Sequence, residues 1–254
     1  MKLHHKVLGS GPDLVLLHGW GMHSGIMDSI ARHYQSRFCV HSIDLPGHGY
    51  SRNGDNSFTL DQVSDALTAI IPDHALLVGW SLGSLISLNL ALREPQRTAK
   101  LVMLCGSPQF FNNKDWGHGM SQALLRGFAD NLGKDFRQTV LHFLGLCAHG
   151  SPAMRDDLRQ LKARVFEPGE PAPEALASGL AILQQASLVN RLAEIKLPVH
   201  FIMGQHDRIV PPDAAHAAAA LLPDARVSVI TGASHLPFVS HASACFNALD
   251  QSLL

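Results

Sequence analysis

The stretch Gly79-Trp80-Ser81-Leu82-Gly83 constrains this chain more than any other. It follows an apolar run of strand length, Ala75-Leu76-Leu77-Val78. It precedes residues 84–92, an apolar stretch that reads as a helix packed on an apolar surface. Strand, tight turn and helix in that order put two glycines where a sharp, strained bend needs them, and the serine hydroxyl then stands clear of the backbone beside a helix start. The five-residue pattern alone is common by chance. Its flanking strand and helix are what make Ser81 a candidate nucleophile. Such a serine needs a base, a group that orients the base, and donors for a developing oxyanion.

With 254 residues and 46% hydrophobic content, the chain can bury a sizeable core as one large α/β domain or two small ones. The formal charge of −1 suggests neither a nucleic-acid nor a membrane-surface partner. The N-terminus is basic but lacks an apolar core of signal-peptide length, and no run of about 18 uncharged apolar residues occurs, so a cytoplasmic protein is expected. The cysteines Cys39, Cys105, Cys147 and Cys245 lie far apart and form no C-x-x-C, which fits thiols in a reducing compartment. None of the sixteen histidines sits in an H-E-x-x-H or zinc-ribbon spacing, so no metal is expected.

Along the chain, residues 3–7 read as an edge strand and Leu14-Val15-Leu16-Leu17 as a buried one ending in His18-Gly19-Trp20-Gly21. Glycines on both sides of Trp20 let the backbone turn close to a ligand. The Trp20 N–H is therefore a first oxyanion donor and the Leu82 N–H, just after Ser81, a second. A helix over residues 26–34 and a strand over 38–43 lead to Asp44, whose glycine- and proline-rich companion loop marks it as a structural carboxylate. Thr59 and Gln62 have capping-box form and open a helix running to Ile71. A strand follows at 100–105.

This β/α alternation predicts a mostly parallel, twisted sheet flanked by helices, with a site at the carboxyl edge. From about residue 109 to 187 strand character disappears. Amphipathic helical stretches there are broken by Gly127, Gly133, Gly150, Pro152 and the segment 168–173, with Ser151-Pro152 as a helix start. We read 109–187 as a helical lid inserted into a core of residues 1–108 and 188–254. Strands return at 199–203 and 226–230, each followed by a loop, the first carrying Asp207 and the second His235. Both loops should open on the edge that carries Ser81. In such a set Ser81 attacks an acyl carbon, His235 takes and returns the proton, and Asp207 fixes the imidazole tautomer.

His18-Gly19-Trp20-Gly21, Asp44-Leu45-Pro46-Gly47-His48-Gly49, Gly79-Trp80-Ser81-Leu82-Gly83, Gly204-Gln205-His206-Asp207 and Ala233-Ser234-His235 resemble the α/β-hydrolase superfamily across nearly the full length. Gly79-Trp80-Ser81-Leu82-Gly83 together with the stretch 137–146 more narrowly resembles the pimeloyl-[acyl-carrier protein] methyl ester carboxylesterases of biotin biosynthesis. The resemblance implies an α/β-hydrolase fold, a cofactor-free Ser81-His235-Asp207 triad, and cleavage of a carrier-bound pimeloyl methyl ester to acid and methanol. It implies substrate contacts at Trp20, Leu82 and Phe143 and carrier docking at Arg137, Arg155 and Arg159. The chain departs from the family pattern at His142, where an arginine is usual, and at Ser84, where a glycine is usual.

Between Lys134 and Val165 there are three more cations than carboxylates, and Arg155, Arg159 and Lys162 fall on one helical face. An acidic carrier could dock there; a solvated face balanced by its own aspartates is the plainer reading. Phe110, Phe111, Phe128 and Phe143 either line an acyl channel or bury the lid, and only Phe143 is assigned to the site. Other activities of the same fold stay open: a broad short-chain esterase acting on small esters, a C–C bond hydrolase, a menaquinone-pathway lyase, or a catalytically silent binding protein. A monomer is expected.

Overall fold

The computed structural model describes residues 1–52, 54, 56–149 and 154–254, apart from the side chains of Met154, Asp157 and Gln160. The expected break at Gly150 and helix start at Ser151-Pro152 lie outside the described residues. In chain order the strands are β1 (His5–Leu8), β2 (Asp13–Leu17), β3 (Cys39–Ile43), β4 (Ala75–Trp80), β5 (Thr98–Leu104), β6 (Val199–Gly204) and β7 (Ala225–Ile230). They form one sheet in the order β1-β3-β2-β4-β5-β6-β7, parallel except for β1, which runs antiparallel to β3. The edge strand β1 starts later than the sequence pattern suggests, because pairing with β3 rather than hydropathy sets its limits.

The helices are α1 (Asp28–Tyr34), α2 (Leu60–Thr68), α3 (Leu82–Arg93), α4 (Gln122–Leu132), α5 (Phe136–Ala148), α6 (Met154–Val165), α7 (Pro173–Gln185), α8 (Pro212–Ala219), α9 (Pro237–Ser240) and α10 (Ala242–Leu253). Helix α3 is apolar nearly all round because it lies buried between the sheet and α2. Its Leu85, Ile86, Leu88 and Leu90 are fully buried, each stabilising the fold by about 1.5–3 kcal/mol. Among its buried polar residues, Asn89 reaches Asp61 and Ser64 of α2 at 3.0 Å each, so its burial leaves the amide satisfied. At the start of α2 the capping box is complete: Thr59 Oγ1 accepts from Gln62 N–H and Gln62 Oε1 from Thr59 N–H.

Between β5 and β6 the described residues form α4–α7, a 3-10 turn at Val189–Glu194 and isolated bridges, with no further strand. One bridge pairs Gln109 with Ser187, and the Leu188 N–H donates to Pro108 O at 3.0 Å, so the two chain crossings are tied together. Gly127 does not break a helix but sits inside α4. A lone helical glycine costs about 1 kcal/mol relative to alanine, which the buried contacts of Leu125 and Phe128 on either side offset. Gly133, in contrast, does end α4.

Candidate active site

The elbow between β4 and α3 holds Ser81 at φ 54°, ψ −120°, a conformation that L-residues rarely adopt. Its glycines are there for close approach. A Cβ on Gly79 would lie 2.4 Å from Gly83 O, and one on Gly83 would lie 2.3 Å from Leu17 O. Helix α3 can therefore start against the end of β2 only with glycine at 83. Ser84, the departure noted in the sequence, fits because Gly106 opposite has no Cβ; its hydroxyl donates to Ser81 O at 2.6 Å.

The carboxyl ends of β6 and β7 deliver the two other groups. His235 Nε2 is 2.9 Å from Ser81 Oγ, and His235 Nδ1 is 2.7 Å from Asp207 Oδ2. The other oxygen of Asp207 accepts the N–H groups of Ile209 and Val210 at 2.8 and 3.0 Å. That grip leaves Oδ2 aimed at the imidazole. An ionised carboxylate only accepts, so Nδ1 carries the proton and the Nε2 lone pair faces the serine hydroxyl. Both side chains are inaccessible to solvent, which strengthens electrostatic interactions among them.

The loop after β2 lies against the elbow: a Cβ on Gly19 would come within 3.1 Å of Ser81 Cβ. Among the described residues neither the Trp20 N–H nor the Leu82 N–H donates to a protein acceptor. The Trp20 side chain packs in the interior, with Nε1 donating to Leu176 O of α7 at 2.8 Å. The side chain thus packs in the core while the backbone keeps the position expected of an oxyanion donor. His18 braces the loop, donating from Nδ1 to Gly19 O at 2.8 Å and accepting the Leu45 N–H on Nε2 at 2.9 Å. Burial, with a smaller push from His48, lowers its pKa to about 3, so it stays neutral. Asp44 accepts the N–H groups of Ser24 and Tyr50 at 2.7 and 2.9 Å. Burial alone would raise its pKa, but these backbone donors, which stabilise the ionised carboxylate, bring it below the ordinary carboxylate value.

Helices α4, α5 and α7 roof the triad. The Phe143 ring stands 5.2 Å from that of Trp20 and 6.4 Å from that of His235, with Phe128 behind it at 6.2 Å. Ser234 Oγ donates to Cys147 O of α5 at 2.9 Å, joining the loop of His235 to the roof. Ser81 is 1% exposed beneath this cover.

A family model described as alpha/beta hydrolase fold matches residues 12–242. The chain belongs to the α/β-hydrolase family. This hydrolase is 40% identical over 253 residues to a pimeloyl-[acyl-carrier protein] methyl ester esterase of Xanthomonas oryzae pv. oryzae, covering 98% of each chain. It is 38% identical over 250 residues to an enzyme of the same name from Nitrosomonas europaea, covering 97% of this chain and 99% of that one. In fold it resembles an esterase from Exiguobacterium antarcticum, with a TM-score of 0.89 at 17% identity, covering 98% of this chain and 94% of that one. The enol-lactonase of Burkholderia xenovorans LB400 gives 0.83 at 20%, covering 98% and 95%.

The hydrolase places the arginines away from the triad, on the outer surface of α5 and α6. Arg137 pairs with Glu170 at 3.0 Å and lies over the Phe166 ring; Arg159 pairs with Asp156 at 3.1 Å; Arg155 is exposed. His142 is also exposed, 5.5 Å from the Phe128 ring. Phe128, which the sequence offered as channel lining or lid burial without assigning it to the site, packs against Phe143 and Trp20. One contribution escaped the sequence reading. Trp80 Nε1 donates to His235 O, a bond spanning 155 positions whose only sequence signal was the tryptophan inside the glycine-bounded turn. No helix of the described residues is long and apolar enough to cross a membrane.

Proposed function

We propose that this α/β-hydrolase is a serine carboxylesterase that cleaves the methyl ester of pimeloyl-[acyl-carrier protein] to the free acid and methanol, as in biotin biosynthesis. The hydrogen-bonded row Asp207–His235–Ser81 carries the chemical part of the reading. Ser81 Oγ attacks the ester carbon as its proton passes to His235 Nε2, and Asp207 stabilises the imidazolium. The N–H groups of Trp20 and Leu82 receive the oxyanion. Collapse of the tetrahedral intermediate expels methanol, which takes the proton from His235. Water, deprotonated by His235, then attacks the acyl-enzyme and releases the acid.

The substrate part rests on relatives of that name spanning 98% of the chain at 40% identity. Residues 109–187 act as the lid, with Trp20, Leu82 and Phe143 against the acyl chain. Arg137, Arg155 and Arg159 meet the acidic carrier, in a cytoplasmic protein whose cysteines are all free thiols. The ion pairs of Arg137 and Arg159 are exposed, and exposed pairs contribute about 0–1 kcal/mol, little enough to be exchanged for a partner's carboxylates. The test compares kcat/KM for pimeloyl-carrier methyl ester with that for free short-chain methyl esters. A preference for the carrier-bound ester of about 100-fold or more is expected. Equal use of both would make this a broad esterase instead, and near-normal turnover by Ser81→Ala would reject the nucleophile.

A further inference from the structure

Strand register gathers a second set of reactive side chains at the edge of the sheet opposite Ser81. Asp13 and Cys39 open β2 and β3 and stand side by side in the register. His41 is two residues further along β3 and so projects from the same face. His5 of β1 pairs with Ile43, again two residues on, and shares that face. A carboxylate oxygen of Asp13, Cys39 Sγ and a ring nitrogen of His41 consequently lie within 4.8 Å of one another. His41 Nε2 is 2.7 Å from Asp13 Oδ1, and its Nδ1 is 2.8 Å from His5 Nε2.

One thiol, one imidazole and one carboxylate make a donor set suited to zinc and its close relatives. Metal bonds of about 2.0–2.3 Å put neighbouring ligand atoms of a tetrahedron roughly 3.3–3.8 Å apart, within reach of small side-chain rotations here. Cys39 is the one cysteine that is not buried, and the Asp13 side chain is 32% exposed, so an ion and a fourth, water ligand can enter from solvent. His5 stands where an outer hydrogen-bond partner orients a ligating imidazole.

We propose that Asp13, Cys39 and His41, oriented by His5, form a binding site for a divalent transition metal of the zinc class, fastening the first three strands. Coordination takes Cys39 as the thiolate, releasing one proton to solvent. His41 gives up its Nε2 proton and binds through that nitrogen as the Nδ1–H tautomer, while His5 shifts its own proton to Nδ1 to accept, so no further proton is lost. The site is remote from the carboxyl ends of β4, β6 and β7 and takes no part in ester cleavage.

The full chain, stripped with chelator, is titrated with Co2+. One equivalent should bind with a near-ultraviolet thiolate-to-cobalt charge-transfer band, and Zn2+ should displace it and raise Tm. Cys39→Ser should abolish the band and the Zn2+-dependent rise while leaving metal-free ester hydrolysis unchanged; Cys105→Ser should keep both. His5→Gln should retain the band with about 10–100-fold weaker affinity. Co2+ binding without a thiolate band, or a band that survives Cys39→Ser, overturns the proposal.

Discussion

The Trp80 indole donates a hydrogen bond to the backbone carbonyl of His235 at 2.8 Å, and its ring leans on the His235 imidazole with centroids 5.6 Å apart. The same ring packs edge-on against Phe238 and fills the space left by the missing Cβ of Gly19. One side chain thus fixes the spacing between the elbow strand, the loop after β2 and the loop that carries the base. Trp80→Phe keeps most of the packing but leaves a buried carbonyl unpaired, which costs about 1–3 kcal/mol. We expect kcat to fall roughly 10–100-fold with KM nearly unchanged, since base geometry suffers and the acyl site does not. Steady-state kinetics with an intact circular dichroism spectrum provide the check; an unaltered kcat would mean that His235 is held by other contacts.

Asp207→Asn should fold normally, because the amide oxygen can still accept the Ile209 and Val210 N–H groups. Its NH2 group would instead face His235 Nδ1 and favour the wrong tautomer. A loss of kcat on the order of 10⁴-fold is expected at neutral pH. Chemical denaturation should show stability close to that of the parent, and activity within tenfold of the parent would remove Asp207 from the row.

Charge reversal at Arg155 and Arg159 separates docking from chemistry. Replacing both with glutamate should reduce kcat/KM for the carrier-bound ester by about tenfold or more at low salt, and leave hydrolysis of a small methyl ester intact. Added salt should narrow the gap, because screening weakens surface charge attraction. Equal losses on both substrates would place the effect in the fold instead.

Three buried histidines should weaken the fold in acid. Burial lowers the pKa of His18 to about 3 and of His48 and His200 to about 4, with Arg226 and Lys100 adding to the effect at His200. In the unfolded chain each would titrate near 6.5, so below that pH unfolding takes up protons that the native state refuses. The stability these groups preserve is complete above pH 6.5 and is lost as pH falls toward 4, at up to about 1.4 kcal/mol per pH unit for each histidine. Urea midpoints at pH 7.5 and 5 should differ clearly; matching midpoints would contradict the neutral assignment.

The elbow, the strand-end places of Asp207 and His235 and the Thr59 cap were legible in the sequence because each depends on neighbours within a few positions. Gly83 must be small where α3 meets Leu17, and Asp207 and His235 each follow an apolar strand, so local pattern was enough to name them. Gly127 was misread for the opposite reason: a propensity of about 1 kcal/mol is overridden by burial on either side, which only packing reveals.

Sequence alone therefore identified the groups that could meet: a serine in a glycine-bounded turn, an aspartate and a histidine after two strands, and apolar runs enough to bury them. Tertiary structure decided what no spacing encodes. It closed Phe143 and Phe128 over the base, bound Trp80 to His235 across 155 positions, and set Asp13, Cys39, His41 and His5 on one face of three strands. Those relationships join residues far apart in the chain, and they exist only once strand register and helix packing have fixed where each side chain points.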